Sequence, residues 1–297
     1  MNAYVDHNFL INCINQGGWR PIAVNACSSG SVKLIVSPWS IYEIGNAAPL
    51  HMEELLTIVE ELKPLWIFER VDLQLREFVV AWNDFWNGRR SHFDPIGTLA
   101  EVHASFFRCR LKLVEKYSLR DYAAIWKRPD ASYEADVEFR RQASISVWNR
   151  MAYLDGRFTS RAIREIRERY VARQFAISRK VGLPHHQIHQ YENLILSEKK
   201  LREFISFFVE FGGMDDLLAH RVEEILTFNQ WKTGAKLNPH RQLDRFHAVA
   251  ALPYCDLFVT SDAELIKKSQ VVQNELRFEI GSVISGEEFI ERLRKLE

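Results

Sequence analysis

The sequence predicts an α/β fold, with a central parallel sheet covered by helices on both faces as a three-layer α/β/α sandwich, plus a mostly α-helical insertion. Short apolar strand segments alternate with helical segments over the first eighty residues, and this alternation returns near the C-terminus. Between these parts the apolar residues recur mostly with a helical period. We therefore expect one discontinuous domain, residues 1–82 and 236–297, interrupted by a helical insertion at 83–235.

The N-terminal part contains three short apolar runs that predict buried strands. These strands are expected at residues 3–5, 32–36 and 65–68. The first helix has apolar residues at helical spacing from Phe9 and ends at the glycine pair 17–18. The second begins at Ser37 and Pro38, which suit the N-cap and the first helical position. A third helix is expected at 51–62.

The C-terminal part repeats the pattern of helix and strand. Its clearest strand is Leu257-Phe258-Val259, a continuous apolar run typical of a parallel strand buried on both faces. A helix with a buried apolar face precedes this strand and stops at Pro253. The helices are expected at 241–252, 263–270 and 286–296, and an edge strand is expected at 277–280.

The charge distribution is uneven although the net charge of the chain is zero. Residues 108–180 contain eighteen Lys or Arg and nine Asp or Glu, a balance of +9, so the rest of the chain carries −9. This window is a candidate RNA-binding surface, with Arg161, Arg164 and Arg167 as candidate phosphate contacts. The alternative is a solvated helix face with internal ion pairs.

The cysteines and the N-terminus indicate the compartment. The four cysteines are scattered without a C-x-x-C spacing, which favours a reduced environment over a disulfide framework. No basic segment followed by an apolar one opens the chain, since Asp6 interrupts the only candidate. No apolar run approaches the length needed to span a bilayer. We expect a cytoplasmic protein without a membrane partner.

Four acidic residues, called the four acids below, occupy related positions in this scheme. Asp6 ends the first strand, and Glu43 lies in the helix after the second strand. Asp244 opens the helix that leads into the strand at 257–259, and Asp262 follows that strand. In a parallel sheet these positions converge at the carboxyl edge, where ligands bind. Clustered carboxylates repel one another and bind cations or protons, and hard oxygen ligands select Mg²⁺ or Mn²⁺.

Each of the four acids also has a structural interpretation. Asp6 and Asp262 suit helix N-caps or turns, and Asp244 suits an acid near the positive end of a helix dipole. Glu43 suits a solvated helix position. A fifth acid, Asp256, precedes its strand, so we expect it at the opposite sheet edge in a turn. His247, one helical turn after Asp244, is a candidate for contact with the site or for a hydrogen bond in the core.

The segments around the four acids resemble the successive acidic motifs of PIN-domain nucleases. They are Val-Asp-His-Asn-Phe-Leu at 5–10, Ser-Ile-Tyr-Glu-Ile at 40–44, Asp244 with His247 and Ala248, and Val-Thr-Ser-Asp at 259–262. The resemblance covers roughly residues 1–80 and 236–297. It implies a PIN-like fold and a hydrolase dependent on Mg²⁺ or Mn²⁺, in which the four acids are the metal ligands and catalytic residues.

The resemblance also implies a substrate and further site residues. The expected activity is endonucleolytic cleavage of RNA, with single-stranded RNA as the expected form of the substrate. Thr260 or Ser261 would form a hydrogen bond within the site, and Asn8 is a further candidate. The insertion has no counterpart in the small members of the family, and it is a candidate surface for a homodimer or a protein partner. The alternatives are an inactive PIN-like scaffold and a phosphohydrolase acting on DNA or a nucleotide.

Overall fold

The computed structural model describes residues 1–87, 94–106, 118–126, 203, 206, 217–232, 239–276 and 280–296. The chain forms two compact units, one comprising 1–73, 94–128 and 219–297 and the other comprising 74–93 and 129–218. The four acids all belong to the first unit. The predicted boundary of the insertion remains a prediction.

The described residues form a six-stranded sheet in the order β4-β3-β2-β1-β5-β6. The strands are β1 Asn2–Val5, β2 Lys33–Val36, β3 Leu65–Ile67, β4 Ile96–Gly97, β5 Leu257–Val259 and β6 Ser282–Ile284. All neighbouring pairs are parallel except β3 and β4, which are antiparallel. The predicted α/β fold with a mostly parallel sheet is therefore confirmed.

Helices connect the strands. In the described residues they are α1 His7–Asn15, α2 Trp19–Ser28, α3 Pro38–Gly45, α4 Pro49–Leu62, α5 Arg70–Asn87, α6 Leu99–Phe106, α7 Leu119–Trp126, α8 Leu218–Lys232, α9 Pro239–Ala251, α10 Ala263–Glu275 and α11 Gly286–Arg294. Helices α1, α2 and α4 pack against one another, and α11 packs against α2. Helix α9 packs against α3, α10 and β5. None of the described helices has the length and apolarity needed to cross a bilayer.

Three details differ from the prediction. Helix α2 was not expected, and Pro21 lies in its first turn, where proline is tolerated. Strand β4 was not expected either, because two residues carry no periodic signal. Strand β6, Ser282–Ile284, was not expected beside β5, and of the edge strand predicted at 277–280, residues 277–279 lie outside the described residues.

The core is centred on β1. Its residues Ala3, Tyr4 and Val5 are fully buried, and β5 beside it is also buried throughout. A parallel strand covered on both faces needs continuous apolar residues, which explains why these strands could be recognised in the sequence. Strand β1 lies between β2 and β5, with Tyr4 opposite Ile35 on one side and Phe258 on the other.

The strand order creates a switch point in the sheet. From β1 the chain builds outward through β2 to β3, and after the middle of the chain it adds β5 and β6 on the other side of β1. Two connections therefore leave the carboxyl ends of β1 and β5 in different directions. In open α/β sheets such a switch point is where ligands bind. Asp6 directly follows β1, and Thr260 directly follows β5.

Candidate metal centre at the sheet switch point

Asp6 has the N-cap role of its structural interpretation, and it lies at the carboxyl end of β1. It is the N-cap of α1, and its Oδ1 accepts a hydrogen bond of 3.0 Å from the backbone N–H of Phe9. Its Oδ2 accepts a hydrogen bond of 2.5 Å from the hydroxyl of Thr260. Burial disfavours the charged form and raises the pKa of Asp6 to about 6, although both hydrogen bonds oppose this shift. Asp6 is thus a helix cap whose carboxylate is held at the end of β1.

The residues after β5 divide into two roles. Thr260 is fully buried; its hydroxyl donates to Asp6 and accepts a hydrogen bond of 3.1 Å from the backbone N–H of Asp262. Ser261 is exposed, and its hydroxyl accepts a bond of 3.4 Å from Asn12 of α1. Of the two hydroxyl residues expected in the site, Thr260 is therefore the one that connects two of the four acids.

Asp262 and Asp244 lie close enough to influence each other. Asp262 is the N-cap of α10 and accepts a hydrogen bond of 2.8 Å from the backbone N–H of Leu265. Burial raises the pKa of Asp244, and the negative charge of Asp262 raises it further, while the Lys268 ammonium opposes the shift. The carboxylate of Asp244 on α9 is thus near that of Asp262 and repelled by it.

Glu43 is held by His247. The Oε2 atom of Glu43 on α3 lies 3.2 Å from Nε2 of His247 on α9. The side chain of His247 is 3% exposed and that of Glu43 is 23% exposed. Burial on its own would lower the pKa of His247, but the carboxylates of Glu43, Asp6 and Asp244 outweigh burial, and the net shift is upward. His247 thus contacts Glu43, one of the four acids, and its ring also forms a hydrogen bond in the core.

That core contact is with Tyr4. The Tyr4 hydroxyl hydrogen-bonds Nδ1 of His247 and donates a bond of 2.8 Å to the hydroxyl of Ser37. Burial raises the pKa of Tyr4 well above its usual value. Ser37 occupies the N-cap position of α3, as predicted, but makes no side-chain cap hydrogen bond. Its hydroxyl accepts the bond from Tyr4 instead. The predicted N-cap position of Ser37 is therefore confirmed, but its side chain does not cap the helix.

His7 is a neighbour of the site that the sequence interpretation did not single out. It follows Asp6 directly and opens α1. Within the described residues its buried Nδ1 atom has no hydrogen-bond partner. Burial lowers the pKa of His7, while the negative charge of Glu43 opposes this effect. Its position next to a strand-end acid was the signal that would have identified it.

The remaining candidate residues lie elsewhere. Asn8 is exposed on the first turn of α1. Arg161, Arg164 and Arg167 lie outside the described residues. Asp256 has the turn role expected of it, because its carboxylate accepts a hydrogen bond of 2.7 Å from the backbone N–H of Asn2 at the start of β1. It therefore lies at the amino edge of the sheet, opposite the four acids.

The donor set has the chemistry that a divalent ion requires, since four carboxylates offer hard oxygen ligands suited to Mg²⁺ or Mn²⁺. The observed arrangement is not a preformed coordination shell. In the part of the chain that the structure describes, no group of three or more His, Cys, Asp or Glu side chains is placed to hold a metal ion. Asp6, Glu43 and Asp262 instead direct carboxylate oxygens to donors of the protein.

Comparisons with known proteins add no evidence on the function of this site. The chain matches no protein-family model, no curated protein and no solved structure. The resemblance to PIN-domain nucleases therefore depends on the quoted motifs alone.

Proposed function

We propose that this protein is a divalent-metal-dependent nuclease with a PIN-like three-layer fold, and that it acts as an endoribonuclease. One observation carries the proposal. Asp6 after β1 and Asp262 after β5 are linked through Thr260 at the switch point of the sheet. Glu43 and Asp244 lie within electrostatic range of the same point. The raised pKa values of Asp6 and Asp244, and the convergence of the four acids on a ligand-binding edge, favour the binding of a cation there.

The four acids are the proposed ligands of Mg²⁺ or Mn²⁺. Asp6 and Asp244 would bind the ion directly, and Glu43 and Asp262 would complete the shell or position a water. Such an ion stabilises the charge that develops on a phosphodiester and lowers the pKa of bound water. Thr260 keeps Asp6 oriented, and Lys268 offsets part of the charge on Asp244. A bound cation would offset the electrostatic repulsion between the carboxylates of Asp244 and Asp262.

RNA is the proposed substrate, and single-stranded RNA the preferred form. The resemblance to PIN-domain nucleases favours RNA, and the net +9 of residues 108–180 favours a polyanion. A cytoplasmic location belongs to the same proposal, since Cys13, Cys27 and Cys255 are free thiols. The insertion remains the candidate surface for a second copy or a protein partner.

The test combines metal binding with cleavage. Wild-type protein should bind Mn²⁺ in calorimetry and should cut labelled single-stranded RNA only when Mg²⁺ or Mn²⁺ is present. Asp6→Asn and Asp244→Asn should each reduce cleavage by about 100-fold or more, because each removes a proposed ligand of the ion that stabilises the charge of the transition state. Asp256→Asn is the matched control, because it makes the same chemical change at the opposite sheet edge. Unchanged cleavage by Asp6→Asn and Asp244→Asn would refute the assignment.

A catalytically silent scaffold is the second candidate. It is favoured by the lack of a ready-made group of metal ligands in the described residues. A scaffold should show no Mn²⁺ binding that is lost on Asp6→Asn. Matched DNA and RNA oligonucleotides in the same assay separate the proposed ribonuclease from a phosphohydrolase that acts on DNA or nucleotides.

A further inference from the structure

We infer that His247 is a positioning residue that fixes the Glu43 carboxylate at the candidate metal centre. The inference rests on the proposed function, because it concerns how one of the proposed ligands is held. It goes beyond that function by adding a residue that is neither an acid nor a proposed ligand. Three properties of His247 support it: its bond to Glu43, the way its ring is oriented, and the elements that it joins.

The bond to Glu43 defines what His247 supplies. A carboxylate only accepts hydrogen bonds, so Nε2 of His247 must carry the proton in the 3.2 Å contact with Oε2 of Glu43. Glu43 is on a helix surface and partly exposed, so without a partner its side chain would sample several rotamers. The hydrogen bond selects one of them. Outer donors of this kind orient ligating carboxylates in metal sites.

The imidazole ring is itself fixed from the opposite side. Nδ1 of His247 bonds the Tyr4 hydroxyl, and the ring of Tyr4 lies 5.7 Å from the imidazole, centroid to centroid. Tyr4 in turn donates to Ser37, and both residues are fully buried. The two ring nitrogens therefore point in defined directions, one toward the core and one toward Glu43. This chain of bonds begins in the middle of the sheet and ends at one of the four acids.

The same network joins the elements that carry the site. Tyr4 belongs to β1, which ends at Asp6, and Ser37 precedes α3, which carries Glu43. His247 is on α9, one turn after Asp244. A buried polar network costs desolvation energy, and apolar residues of similar volume would often pack as well or better. Its presence beside the four acids is explained if it sets the geometry of Glu43 relative to Asp6 and Asp244.

The experiment separates the two ring nitrogens of His247. In His247→Gln the side-chain amide can reach the position of Nε2 and still donate to Glu43, whereas in His247→Asn it reaches only the position of Nδ1. We expect His247→Asn to weaken Mn²⁺ binding by about 10–100-fold and to lower kcat for RNA cleavage more than it raises KM. We expect His247→Gln to remain close to wild type in both. Urea unfolding in EDTA reports whether each variant is folded.

A double-mutant cycle with Glu43 completes the test. If His247 acts through Glu43, His247→Asn should add no further loss of Mn²⁺ affinity in the Glu43→Gln background. Additive losses, or equal losses in His247→Asn and His247→Gln, would overturn the inference. If wild type binds Mn²⁺ and His247→Asn binds it with the same affinity, the inference is overturned but the proposed function is not. Wild type that binds no Mn²⁺ would overturn the proposed function and the inference with it.

A milder variant covers the case in which His247→Asn does not fold. Tyr4→Phe keeps the aromatic ring packed against Phe258 but removes the hydroxyl that orients the imidazole. We expect weaker Mn²⁺ binding in the same direction as for His247→Asn, with a smaller loss. Wild-type affinity and cleavage in a folded Tyr4→Phe protein would count against the positioning role.

Discussion

At the scale of single residues, one hydroxyl group connects the carboxylate of Asp6 with the backbone of Asp262, two residues far apart in the sequence. The Thr260 hydroxyl donates to Asp6 and accepts from the backbone of Asp262. Because Asp6 is buried, its charged form depends on this bond and on the bond from the backbone N–H of Phe9. The position of Thr260 therefore affects both the stability of the fold and the charge at the candidate site.

Replacing Thr260 by valine tests this link. Thr260→Val keeps the shape of the side chain but leaves the Oδ2 atom of Asp6 without its donor. We expect the free energy of unfolding at pH 7.5 to fall by about 1–3 kcal/mol, the cost of an unsatisfied buried polar group. Urea unfolding in EDTA is the measurement. Ser261→Ala is the control and should be nearly neutral, because Ser261 is exposed.

The sequence could not have separated Thr260 from Ser261. Both follow an apolar strand and both carry a hydroxyl, so the motif fits either residue. The distinction arises because alternate residues at a strand end point to opposite sides, and this depends on register. The four acids could be selected because each stands at a strand end or on an adjoining helix. The bonds of Glu43 to His247 and of His247 to Tyr4 join residues far apart in sequence, and no local pattern encodes them.

At the scale of elements, the junction between β5 and β6 is tightly packed. Gly281, just before β6, donates its backbone N–H to the carbonyl of Leu252. A Cβ atom at Gly281 would lie 2.2 Å from the backbone oxygen of Cys255, far inside contact distance. Backbone atoms cannot move aside as a flexible side chain can. Glycine at this position is therefore a condition for β6 to pair with β5.

We expect Gly281→Ala to lower the free energy of unfolding by about 1–3 kcal/mol, as overpacking does in well-packed sites. Hydrogen exchange should show faster exchange of the backbone amides of β6 than of β1, because the strain falls on the edge of the sheet. Gly17→Ala is the matched control, since a Cβ at Gly17 meets nothing within 4 Å. Equal stability of the two variants would contradict this description of the junction.

The elements differ in how visible they were in the sequence. Strands β1 and β5 were found because burial on both faces demands unbroken apolar runs, as in Leu257-Phe258-Val259. Strand β6 was not predicted because it is short and partly exposed, so Ser282 weakens its apolar signal. Helix α2 was missed because Pro21 interrupts the helical pattern near its start. In each case tertiary packing supplied information that local pattern lacks.

At the scale of the whole molecule, a buried histidine away from the four acids links stability to pH. His103 on α6 is fully buried, stacked on Tyr122 with ring centroids 4.1 Å apart and with Trp66 at 5.5 Å. Burial lowers the pKa of His103 from 6.5 to about 3. The folded protein therefore keeps this ring neutral at pH values at which the unfolded chain would protonate it.

The sign of the resulting pH dependence follows from linkage. The contribution of His103 is fully present above pH 6.5 and is lost as the pH falls toward 3, because the unfolded state binds the extra proton. Between pH 7 and pH 4.5 we expect a loss of about 2–3 kcal/mol from this residue. His103→Phe keeps an aromatic ring but cannot protonate, so its urea stability should fall less steeply with acid. His51→Gln, at an exposed site on α4, should keep the wild-type slope.

The arrangement of the sheet has a consequence for a chain that is still being synthesised. Strand β1 can pair with β2 as soon as Val36 has emerged, but its other neighbour, β5, begins more than 250 residues after β1 ends. Until then the central strand β1 presents an open edge, the kind of surface that chaperones and aggregation partners recognise. Asp6 likewise has no bond from Thr260, and no link to Asp262, until the end of β5 has been synthesised. A ribosome-bound fragment that stops before α9 would therefore carry Asp6 and Glu43 without Asp244 and Asp262, so the candidate metal centre can assemble only after α9, β5 and Asp262 have been synthesised.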